Sequence, residues 1–75
     1  MRILLTEGDE ILGAAVRDQI IADGHTVDWA RRLGDAEEHV SLVTYDLLLL
    51  DLMLPDGTGL DFFYVNYARM AALSP

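Results

Sequence analysis

Two acidic residues stand where short apolar runs end. Ile3-Leu4-Leu5 runs into Thr6-Glu7-Gly8-Asp9, and Leu47-Leu48-Leu49-Leu50 runs into Asp51. If each run is a buried strand and the two are parallel neighbours, their backbones lie about 4.8 Å apart. Both carboxylates then converge on one small volume beyond the carboxyl ends of the strands, where open parallel sheets bind ligands. Converging oxygens suit a hard divalent cation such as Mg²⁺. A carboxylate beside such a cation can attack phosphorus and form an acyl phosphate. An acid at a strand end is also commonly a helix cap or a solvated turn residue, and spacing alone leaves both readings open.

The elements that must position these acids can be read from periodicity. The run around 2–6 fits a strand buried on both faces. From Glu10 the pattern turns helical: Ile11, Leu12, Ala15, Val16, Gln19 and Ile20 share one face at spacings of three and four. Asp9 sits at the N-cap position and Gly24 at the left-handed position that ends such a helix. Residues 25–30 alternate, with Val27 and Trp29 on one face, and read as a strand at a sheet edge. Asp35-Ala36-Glu37-Glu38 resembles a capping box and predicts a short helix from Asp35 to about Leu42, with Ala36, His39, Val40 and Val43 inward. Residues 47–51 predict a central strand, because four leucines between turn signals are too few for a helix. Met53 to Gly59 reads as a loop from its Pro and Gly content, and Leu60 to about Leu73 as a last helix stopped by Ser74-Pro75. Strands alternating with helices imply an α/β fold with a parallel sheet and right-handed crossovers.

Composition narrows the function classes. The 75 residues amount to one small domain, short enough that only about 60% of the unfolded surface would be buried. Thirteen acids oppose 5 arginines, with no lysine, for a net charge of −8. That balance argues against direct nucleic-acid binding and against an anionic membrane surface. No cysteine is present, which excludes disulfides and thiolate zinc sites. No apolar run approaches the roughly 20 residues of a membrane span, and Glu7 arrives too early for a signal-peptide core, so a cytoplasmic chain is expected. His25 and His39 are too isolated for a metal site, and Trp29 reads as packing. Residues 51–61 fail the alternating acids of a calcium loop.

Two stretches resemble the receiver domain of two-component response regulators. Residues 2–10 (RILLTEGDE) look like its first strand and acidic turn, and residues 45–60 (YDLLLLDLMLPDGTGL) like its third strand, phospho-acceptor and following loop. Residues 25–30 (HTVDWA) look like the second strand of receivers attached to winged-helix DNA-binding domains. The resemblance implies a flavodoxin-like sheet. Here that is a truncated (β/α)3 unit, order 2-1-3, covering residues 1–75 and lacking the fourth and fifth β/α units. It implies that Asp51 accepts a phosphoryl group from a sensor histidine kinase. It also implies that Glu7, Asp51 and the backbone carbonyl of Met53 hold Mg²⁺. The module would signal by protein contact and would not be an enzyme in its own right.

The departures from the pattern carry expectations of their own. Gly8 stands where the family has its second acid, which weakens the Mg²⁺ site, while Asp9 is expected to cap the first helix. The family's switch hydroxyl and phosphate-pairing lysine have no counterpart. Each such group offsets charge on a transferring phosphoryl group, so weak phosphorylation or none is expected. Two alternatives stay open: a competent switch completed by residues or a chain outside this sequence, or an oligomerising remnant without ligand. An edge of leucines at the third strand, or the aromatic last helix with Phe62, Phe63, Tyr64 and Tyr67, would favour self-association, for example as a dimer.

Overall fold

The computed structural model describes residues 1–51 and 53–58. β1 (Arg2–Thr6), α1 (Glu10–Ala22), β2 (Thr26–Ala30), α2 (Leu33–Leu42) and β3 (Leu47–Leu50) follow in order, then β4 (Met53–Leu54) and β5 (Gly57–Thr58). The first three strands form one parallel sheet in the order β2-β1-β3. Ile3 pairs with Val27 on one side and Leu47 on the other, and Thr6 with Ala30 and Leu50. The α/β reading and the 2-1-3 order therefore hold. β1 is central, and its Ile3, Leu4, Leu5 and Thr6 are all buried, as a continuous apolar run between two layers requires.

The core lies on the α2 side of the sheet. Leu4, Ala30, Leu33 and Ala36 form its buried cluster, with Val40, Tyr45, Leu48, Leu50 and Leu54 packed against it. Leu4 has no exposed surface, so its side chain contributes about 1.5–3 kcal/mol through burial.

α1 begins and ends as its sequence requires. The Leu12 N–H donates to Asp9 Oδ1 at 2.8 Å, and Gly24 takes φ +87° just past the end. Its buried face differs from the expected stripe. Gly13 and Ile20 are buried, whereas Ile11 is 85% and Leu12 53% exposed, and Ala15 and Gln19 are exposed too. The reason is Trp29: its indole lies against Gly13 so closely that a Cβ there would collide with the ring. That contact rotates the helix about a glycine that hydropathy patterning ignores. Farther along, Val16 and Ile20 line an open groove with Ile3 and Leu47.

α2 also departs from expectation. It starts at Leu33 rather than Asp35, with Arg32 at the N-cap and Asp35 inside the first turn. Leu33 and Ala36 are its buried residues, while His39, Val40 and Val43 are half-buried. The capping box is not used because an acid from elsewhere supplies the acceptors, as described below. The expected loop at 53–59 contains the antiparallel β4–β5 pair, Met53 opposite Thr58 and Leu54 opposite Gly57. The helix expected at 60–73, with its aromatic residues, lies outside the described residues.

A polar clasp closes the amino end of the sheet. The Arg2 guanidinium donates to Asp28 Oδ2 at 3.0 and 3.3 Å, and the Tyr45 hydroxyl donates to the same oxygen at 2.6 Å. The Asp46 side chain accepts the Arg2 N–H at 2.7 Å, and the Asp46 N–H donates to the Arg2 carbonyl at 2.8 Å. The Tyr45 hydroxyl and then Arg2 hold the Asp28 carboxyl below its ordinary range, against the effect of burial. Burial, followed by the hydrogen bond to Asp28 and then its charge, pushes the Tyr45 phenol up to about 12.

Candidate acidic site

The carboxyl end of the sheet is built from the residues that follow β1 and β3. The ladder continues one residue past each strand: the Glu7 N–H donates to Ala30 O at 3.1 Å and the Asp51 N–H to Thr6 O at 2.9 Å. Because Thr6 pairs with Leu50, the next register position sets Glu7 beside Asp51. Thr6 reinforces that position. Its buried hydroxyl donates to Leu49 O at 3.0 Å and accepts the Asp51 N–H at 3.1 Å. Asp51 is thus held at its backbone by two oxygens of one β1 residue.

The two side chains meet. Glu7 and Asp51 are hydrogen-bonded through their carboxyl groups, and the Glu7 carboxyl is raised above its ordinary range. Burial is the largest cause; the Asp51 hydrogen bond and charge follow, and the Asp9 N–H, donating to Glu7, opposes them. Two carboxyl groups in hydrogen-bond contact need a shared proton or a cation between them. Asp9 does not join this pair, because its side chain caps α1. Gly8 contributes no side chain. Among the described residues no cluster of three or more His, Cys, Asp or Glu side chains forms.

One further contact places Glu7, and it has no local signal in the sequence. The Trp29 indole N–H donates to the Glu7 carbonyl at 3.0 Å. The ring itself is flanked by the guanidinium groups of Arg17 and Arg31, each 5.5 Å from its centroid. Arg31 also approaches Glu10 at 3.9 Å. The signal available in sequence was Gly13, a helix-interior glycine that costs about 1 kcal/mol relative to alanine without a packing reason.

The donor set is sparse for a divalent cation. Two side-chain carboxylates and one backbone carbonyl are few, but Mg²⁺ keeps several waters and is commonly held by one or two carboxylates. Glu7 and Asp51, already facing each other with like charge, fit such a water-rich ion.

No protein-family model matches the chain. Individual proteins do. It is 47% identical over 60 residues to the swarming motility regulation protein RssB of Serratia marcescens, covering 80% of this chain and 27% of that protein. It is 39% identical over 75 residues to the response regulator protein PmrA of Pseudomonas aeruginosa, covering 100% of this chain and 34% of that one. The non-phosphorylated HemR receiver domain of Leptospira biflexa superposes with a TM-score of 0.85 at 38% identity, over 91% of this chain and 55% of that domain.

The chain is a relative of the response regulators, with the fold of their receiver domain. It spans about a third of the length of the curated regulators it matches. Receivers of this fold include the MaeR response regulator bound to beryllium trifluoride, with a TM-score of 0.82 at 27% identity over 95% of this chain and 59% of that one. They also include TrrA of Thermotoga maritima with Mg²⁺ and a beryllium fluoride, with a TM-score of 0.86 at 22% identity over 91% of this chain and 59% of that one. TrrA has also been solved in complex with the histidine kinase ThkA. Among the described residues of this chain, no helix is long and apolar enough to cross a membrane.

Proposed function

We propose that this chain is a receiver module in which Asp51 is the phosphoryl-acceptor position and a sensor histidine kinase the donor. The single observation that carries this reading is the Glu7–Asp51 contact at the carboxyl rim of a receiver-type sheet. In the reaction, an Asp51 carboxylate oxygen attacks the phosphorus of a phosphohistidine. A P–O bond forms as the P–N bond breaks, and the imidazole departs with a proton. Thr6 fixes the Asp51 backbone, so the nucleophile is aimed by the sheet rather than by a loop. Glu7, Asp51 and the Met53 carbonyl would hold Mg²⁺, which supplies positive charge against the phosphoryl oxygens when bound. The Glu7 carboxyl is raised above its ordinary range beside Asp51, and a cation would relieve it.

Gly8 removes one side-chain ligand, and these 75 residues contain no lysine to pair with the phosphoryl group. Each missing stabilising group is worth roughly 10²–10³ in rate, so phosphorylation of the isolated chain is slow or absent. The module then works through protein contacts in the cytoplasm, without catalytic turnover of its own and without direct nucleic-acid or membrane binding. β3 supports the contact reading. It lies at the edge of the described sheet, and its Leu47 is 40% exposed. Self-association through that strand would use the backbone edge it presents among the described residues.

The test is a Mg²⁺ and beryllofluoride titration followed by amide chemical shifts, with Asp51→Asn as control. Shifts centred on Glu7 and Asp51, lost in the control, are expected. Wild type and control responding alike would overturn the assignment. Incubation with acetyl phosphate and a Phos-tag gel then separates the attenuated module from a competent switch: a full band shift would favour the latter.

A further inference from the structure

We propose that Asp56 is a positioning residue for the acidic rim, clamping the segment that follows Asp51 onto the first turn of α2. Asp56 lies between β4 and β5. Its Oδ1 accepts the Leu33 N–H at 2.6 Å and its Oδ2 the Gly34 N–H at 3.0 Å, across 23 and 22 residues of chain. Arg32 Nε approaches Oδ2 at 4.0 Å. α2 lacks a cap of its own, because Arg32 occupies the N-cap and its side chain makes no capping hydrogen bond. The first amides of a helix need acceptors, and a carboxylate there is favoured by the helix dipole as well. Asp56 meets both needs from a distant part of the sequence. The Gly34 and Leu33 amides, in that order, hold its carboxyl below the ordinary range.

Shape closes the same junction. Gly57, at φ +154°, has the Leu33 side chain where its own Cβ would stand. A larger residue there would be strained by the positive φ and would oblige the Leu33 side chain to shift. β4 begins at Met53, two residues beyond Asp51. The clamp therefore restrains the backbone that leaves Asp51 and carries the Met53 carbonyl. Residues that orient ligating groups at one remove commonly change metal affinity about 10–100-fold when mutated. The consequence for Mg²⁺ rests on the reading of Glu7, Asp51 and Met53 given above; the clamp itself does not.

The test compares wild type, Asp56→Ala and Asp56→Asn by amide NMR, with and without Mg²⁺. In Asp56→Ala, the Leu33 and Gly34 amides should move, and with them those of Asp51 and Met53. The Mg²⁺ dissociation constant should rise about tenfold. Asp56→Asn keeps one acceptor oxygen and should recover most of that loss. If Leu33 and Gly34 move while Asp51, Met53 and Mg²⁺ affinity do not, Asp56 is a helix cap only and the proposal is overturned. If wild-type Glu7 and Asp51 do not respond to Mg²⁺, the cation reading fails, and the amide shifts alone decide the clamp. Should Asp56→Ala not fold, Asp56→Asn is read by the same criteria: shifts that stop at Leu33 and Gly34 overturn the proposal.

Discussion

The two ends of the parallel sheet handle a half-buried acid in opposite ways. At the amino end, Asp28 is met by the Arg2 guanidinium and the Tyr45 hydroxyl, and its carboxyl is held low. At the carboxyl end, Glu7 is met by a second acid, and its carboxyl is held high. One acid is satisfied by the chain itself. The other is complete only with a proton or a cation from outside. Groups left electrostatically unsatisfied by their own fold are candidates for function, and satisfied ones read as structure. The contrast lies within a single β1–β2–β3 unit, and the unsatisfied acid stands at the carboxyl end, where open parallel sheets bind ligands.

Breaking the satisfied end should have the largest effect. Asp28→Ala strands the Tyr45 hydroxyl and frees Arg2, and should cost about 1–3 kcal/mol in denaturant unfolding. A loss below a few tenths of a kcal/mol would show that the clasp contributes little. Gly13→Ala should come next. Its new Cβ meets the Trp29 ring, an overpacking cost of about 1–3 kcal/mol against a helix-propensity gain of about 1 kcal/mol. Urea melts should therefore show a modest net loss, and a stabilised variant would mean that the indole can retreat freely.

Glu7→Gln should act in the opposite direction to Asp28→Ala. It removes one of two facing charges and should raise apo stability by less than about 1 kcal/mol. The same change should abolish stabilisation by Mg²⁺. Equal Mg²⁺-dependent gains in melting temperature for Glu7→Gln and wild type would erase the distinction between the two ends.

Acid titration should give the smallest and most specific separation. The folded Glu7 carboxyl is raised above 4.5, so its contribution to stability is full below 4.5 and is lost as pH rises through the higher folded value. Asp28 is lowered below 3.8, so its contribution is full above 3.8 and is lost as pH falls through the lower folded value. Acidification from neutrality should first relieve the rim and only later undo the clasp. Melting temperatures of Glu7→Gln and Asp28→Asn across this range should each lack one of the two slopes. On the alkaline side, Tyr45 contributes fully below 10 and loses its contribution between 10 and about 12, a limb that Tyr45→Phe should lack.

What could be read from sequence follows the range of each interaction. β1 and β3 were legible because buried runs bounded by turn residues carry a local signal, and the Glu7–Asp51 meeting followed from their adjacency in register. Asp9 was legible as a cap because its partner, Leu12, lies three residues away. The start of α2 was misplaced because its acceptor comes from Asp56, beyond the reach of a local capping pattern. The buried face of α1 was misjudged because Trp29 selects it through Gly13, a residue with no hydrophobic weight. The hydroxyl of Thr6, which ties Asp51 to β1, carries no signal in hydropathy patterning because its partners lie more than 40 residues away.

The chain contains one tryptophan, and its indole N–H is spent on the backbone of Glu7. The protein therefore carries a built-in optical reporter one hydrogen bond from its acidic pair. Emission from Trp29 should register any ion or ligand that displaces that carbonyl, with no label attached.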